Sequence, residues 1–148
     1  MPRIYLSPST QEYNLYVNGG NEEYYMNLIA DAMEPWLDSC GIRYTRNTPD
    51  MTAASSIAQS RKETYDFYLA LHSNAAPEGR YGTYRGTDVY YSPQSRNGKR
   101  AANIIAANLK RIYPLPDLVR ALSTTTLAEV TQTIPPAVLI EFAYHDNP

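Results

Sequence analysis

Two runs constrain this chain more than anything else in it, residues 66–73 (DFYLALHS) and 137–143 (AVLIEFA). Each has the length of a strand and is mostly apolar, the pattern of a strand covered by helices on both faces of a sheet. Each also carries one polar residue where burial is costly, His72 near the end of the first and Glu141 within the second. A satisfied hydrogen bond in the core would account for either residue alone. His72 nevertheless falls at the carboxyl end of its strand, where ligand sites gather in open α/β sheets.

The rest of the chain alternates around these two runs. Residues 3–7 (RIYLS) are β-prone and stop at a Ser-Pro-Ser breaker, and the polar stretch 11–21, with Gly19-Gly20, reads as a loop over that strand's end. From 22 to 39, Met26, Ile29, Ala30, Met33 and Leu37 recur at helical spacing and Gly41 follows as a stop. Pro35 inside that pattern predicts a kink or an earlier end. Residues 42–46 read as a strand, 52–62 as a helix, 74–86 as a long exposed loop and 87–91 as a strand. A second amphipathic helix spans 97–112, and 118–122 and 127–130 are short strand candidates. This order predicts a single α/β domain with a mostly parallel or mixed central sheet of about six strands and helices on both faces.

At 148 residues and 43% hydrophobic, the chain fits one core and leaves little room for a second. A net charge of -2 argues against nucleic acid as a partner, because no basic stripe is present to neutralise phosphates. Cys40 has no cysteine to pair with and lies in an apolar-patterned stretch, so a buried free thiol is expected. The N-terminus has no apolar segment before a cleavage site and no run of eighteen apolar residues occurs, so a soluble chain without an encoded export signal or membrane span is expected. Tyrosine is frequent, 14 residues against 2 Phe and 1 Trp. Its polar-tipped ring suits sugar or peptide recognition, and equally a partly exposed core rim.

Glu23 opens the first helix, three residues before Met26 and four before Asn27. A carboxylate there is favoured by the free amide groups and by the helix dipole, whatever else it does. In combination the residues are more specific. The segments EEYYMNLIADAMEPWL, IRYTRN, YLALHSNA and PAVLIEFAYHDN occur in the order and spacing of the zinc-dependent N-acetylmuramoyl-L-alanine amidases, and nearly the whole chain resembles that bacterial family. The resemblance implies that Glu23 and His72 are zinc ligands, that Asn27 and Asn74 accompany them, and that Glu141 is the general base. It further implies a zinc-activated water that cuts the amide between N-acetylmuramic acid and the L-alanine of the peptidoglycan stem peptide. Peptidoglycan or muropeptides would be the partner, met at the bacterial cell wall.

The chain departs from the family pattern at the first ligand, a His in the loop after the first strand. Here the loop reads STQEYN, and Tyr13 takes the ligand position. A phenol ionises near pKa ~10, so a metal would have to drive its deprotonation. Glu12 and His145 are the other donors within reach of the pattern, although a His in a polar YHDN turn is more often a capping or exposed residue. The departure also motivates a rival reading, a catalytically weakened module that binds wall peptides or regulates a partner hydrolase. A different metallohydrolase is a third reading, with 74–86 setting its specificity. Relatives continue past the HDN turn into a closing helix, so residues 1–148 are expected to form the amidase-like domain without it. Arg46 and Arg61 read as solvated charge in preference to substrate clamps.

Overall fold

The computed structural model describes residues 1–148. Six strands form one sheet: β1 (Arg3–Pro8), β2 (Arg43–Arg46), β3 (Phe67–Asn74), β4 (Thr87–Tyr91), β5 (Val119–Ser123) and β6 (Ala137–Tyr144). Their order is β2-β1-β3-β6-β4-β5, parallel throughout except between β4 and β6. The helices are α1 (Glu22–Ser39), α2 (Ala53–Ser60), α3 (Arg96–Leu109) and α4 (Ala128–Thr131), with a 3-10 turn at Pro116–Leu118. The two apolar runs of the sequence are thus β3 and β6, paired at the centre of the sheet.

Alternation along these strands divides the core in two. Leu69, Leu71, Val138 and Ile140 join Met26 and Ala30 of α1 and Ala102 and Ala106 of α3 in one cluster. Tyr68, Ala70, Ala137 and Leu139 join Ile57 of α2 and Val130 of α4 in the other. Continuing the alternation puts His72 and Glu141, which are register partners, on the side of α2 and α4.

Local chemistry sets the helix ends. The Asn21 side chain accepts from the Tyr24 amide at the start of α1, and Thr52 and Ser55 form a reciprocal capping box on α2. Three expectations are corrected. Helix α1 runs through Pro35 to Ser39, so the proline does not end it early. Residues 127–130 form the turn of α4 instead of a strand, because a four-residue apolar stretch carries too little periodicity to separate the two. Cys40 is exposed, since the chain has left the apolar face of α1 and turns at Gly41, whose φ is +69°.

Candidate active site

The carboxyl ends of β1, β3 and β6 open into a cleft of about 320 Å³ whose lining includes Gln11, Asn14, Glu22, His72, Glu141 and His145. At its base three ionisable side chains form a row. The His72 ring lies between two carboxylates, with Nδ1 3.2 Å from Glu22 Oε1 and Nε2 2.7 Å from Glu129 Oε2. Glu22 and Glu129 are 1% and 4% exposed, so neither charge is compensated by water. Glu22 also accepts from the Ser73 amide at 2.8 Å and from Asn14 Nδ2 at 2.7 Å. The second oxygen of Glu129 accepts from Ser7 Oγ and from the Tyr68 hydroxyl at 2.6 Å.

Burial by itself would raise both carboxyl pKa values and lower that of His72. The mutual hydrogen bonds and charges outweigh it, holding Glu22 and Glu129 below the ordinary carboxylate range and lifting His72 well above the ordinary imidazole range. A carboxylate can only accept, so with both ionised each ring nitrogen donates and the ring is a cation.

Glu141 is in the opposite condition. It stands beside His72 across the β3–β6 pair and opposite Asp88 of β4. Its Oε2 is buried without a hydrogen-bond partner. Burial pushes its pKa up to about 8; the His72 charge opposes that rise, and the Glu22, Asp88 and Glu129 charges add to it. One cleft therefore holds carboxyl groups whose environments drive their proton affinities apart, the arrangement that divides acid from base roles in hydrolases.

A family model for N-acetylmuramoyl-L-alanine amidase matches residues 10–148. The chain belongs to that family. Solved amidases share its fold. The N-acetylmuramoyl-L-alanine amidase from Clostridium difficile 630 superposes with a TM-score of 0.83 at 14% identity, over 99% of this chain and 82% of that one. Amidase AmiC2 of Nostoc punctiforme gives 0.81 at 13%, over 99% and 81%. The catalytic domain of the CD27L endolysin targeting Clostridia difficile gives 0.79 at 19%, over 99% and 84%. No curated protein matches the sequence.

Within this amidase fold the expected site residues are distributed unequally. His72 and Glu141 meet in the cleft, and the helix carboxylate beside His72 is Glu22, while Glu23, the expected ligand, stands apart. The reason is helical phase: Glu22 lies four residues before Met26, on the face that packs on the sheet, whereas Glu23 shares its face with Asn27. Glu23 lines a separate groove with Asn27 and Arg46. Asn27 is itself engaged there, accepting from Arg46, which also pairs with Asp31 and Glu34.

Tyr13 is 73% exposed and does not line the cleft. The neighbouring Asn14 and Gln11 turn inward in its place, joined by a side-chain bond of 2.6 Å. His145, expected to cap the turn or lie exposed, is buried, with Nδ1 3.1 Å from Ser73 Oγ and its ring stacked on Tyr16. Glu129 was not anticipated. Its only trace in the sequence is a carboxylate within the apolar stretch LAEV.

The amidase family is generally zinc-dependent, and the donors in this cleft do not fit a zinc ion held by three protein side chains. Both nitrogens of His72 are directed at carboxylates, both oxygens of Glu22 already accept N–H donors, and Tyr13 points elsewhere. No group of three His, Cys, Asp or Glu side chains is arranged to hold a metal. No helix is long and apolar enough to cross a membrane.

Proposed function

We propose that residues 1–148 form a catalytic unit that binds muropeptides in this cleft and hydrolyses the amide joining N-acetylmuramic acid to the L-alanine of the stem peptide. Glu141 is the group that handles the proton. The observation that carries this reading is the buried, unpartnered Oε2 of Glu141 beside His72, on a carboxyl whose pKa is raised to about 8. At pH 7 about a tenth of such groups are ionised, and general catalysis is most effective when the pKa lies near the working pH.

The ionised carboxylate takes a proton from water as the water oxygen bonds to the lactyl carbonyl carbon. The same proton then passes to the alanine nitrogen as the C–N bond breaks, leaving a carboxylic acid and a free amine. Gln11 and Asn74 add polar side chains to the cleft wall, suited to the peptide groups of the substrate. No step is assigned to zinc, because the side-chain donors do not converge on one point.

Digestion of purified muropeptides, with and without added zinc and followed by mass spectrometry, tests the proposal. Release of L-alanine-headed peptides, abolished by Glu141→Gln, is the expected result. No release under either condition would overturn it. The outward position of Tyr13 supports a second reading, a module that grips wall peptides without cutting them. Saturable muropeptide binding without turnover would establish that reading instead.

A further inference from the structure

Glu129 belongs to none of the positions through which the chain resembles its family, yet few carboxylates in the molecule are held by as many partners. It sits on the single turn of α4, packed among the apolar residues of the β-sheet's second cluster, with Val130 beside it. A carboxylate in such a place is unfavourable unless each oxygen is engaged. Ser7 Oγ of β1 and the Tyr68 hydroxyl of β3 both donate to Oε1, so Oε2 is left for His72. The Tyr68 ring is in turn stacked on Tyr5 at 5.1 Å, and the Tyr5 hydroxyl donates to Gln59 of α2. The carboxylate is therefore clamped from the core side before it meets the imidazole.

We propose that Glu129 is a positioning residue for His72: it accepts the Nε2–H and so fixes the ring plane, with Nδ1 turned toward Glu22 and the cleft. The 2.7 Å contact to Nε2 is the shorter of the two that the ring makes, and its partner is held by two further donors. Without that acceptor the ring keeps only the longer 3.2 Å contact of Nδ1 to Glu22, and its orientation beside Glu141 is less narrowly fixed. A carboxylate behind a functional imidazole commonly fixes the tautomer and orientation in this way. The catalytic consequence rests on the hydrolase reading above; the hydrogen bond itself does not.

Two measurements on the full chain test the proposal separately. In nitrogen-15 spectra at pH 7, Nε2 of His72 in the wild type is expected to carry a proton that correlates with the ring and exchanges slowly with water. An unprotonated Nε2 would overturn the proposal whatever any variant does. Steady-state muropeptide hydrolysis is then compared for wild type and Glu129→Gln. A fall in kcat of at least tenfold, with KM within twofold and an altered Nε2 signal, is expected. If the wild type turns over and the variant matches it in kcat, the positioning role is refuted. If the wild type shows the Nε2 proton but no turnover, the hydrolase reading fails while the Glu129–His72 bond stands.

Discussion

At the scale of single residues, the site depends on which of two adjacent glutamates a helix turns inward. Glu22 is 1% exposed and bonded to His72, Asn14 and the Ser73 amide. Removing it strands an imidazolium and two donors, and loss of one partner from a buried ion pair destabilises by about 3–5 kcal/mol. Glu22→Ala is therefore expected to lower the urea midpoint by that equivalent, and Glu23→Ala to stay within about 0.5 kcal/mol of wild type. Equal effects in denaturant titrations would show the phase assignment to be wrong. The phase was legible in the sequence, since Glu22 lies four residues before Met26, but a resemblance read through Asn27 selects Glu23. Glu129 was less legible, because its partners Ser7, Tyr68 and His72 lie 122, 61 and 57 residues away in sequence.

At the scale of elements, the long patterns were readable and the short ones were not. β3 and β6 are apolar on both faces and α1 carries a periodic apolar stripe, so each was readable over most of its length. α4 has four residues and owes its conformation to the packing of Val130 against Ile57 and Leu139 in the second core cluster, not to its own periodicity. The loop after β1 has no periodicity either, so its inward residues, Gln11 and Asn14, were not separable from the outward Tyr13. Helix α2 is short enough for its cap to matter, as an isolated eight-residue helix is not stable in water. Thr52→Ala removes one side of the capping box and is expected to reduce unfolding free energy by about 1 kcal/mol. A change in the helical signal with no change in the chemical denaturation midpoint would contradict that assignment.

At the scale of the whole molecule, the buried charges set how stability depends on pH. Glu22 and Glu129 have lowered folded-state pKa values, so their contribution is present above about pH 4.5 and is lost as pH falls below it. The raised value of His72 gives a contribution present below about pH 6.5 and lost as pH rises through its folded-state value. Glu141 is also raised, to about 8, so its contribution declines between about pH 4.5 and that value. The melting temperature is therefore expected to be highest near pH 5–6, to fall steeply on the acid side and gradually on the basic side. Glu141→Gln removes the Glu141 share of the basic-side loss, leaving that of His72, and is expected to gain stability relative to wild type above pH 8, by on the order of 3–5 kcal/mol at most. Calorimetric scans that show the variant gaining most at pH 4 would reverse the sign and contradict the burial of that carboxyl.

The same carboxyl is the one proposed to handle the proton in the reaction, so the pH dependence of kcat/KM for muropeptide cleavage is the most direct measurement. If Glu141 is the proton acceptor, wild-type kcat/KM rises about tenfold per pH unit and levels near pH 8, and Glu141→Gln has neither the limb nor the rate. A wild-type profile flat from pH 5 to 9, or a Glu141→Gln enzyme with the wild-type profile, would contradict it.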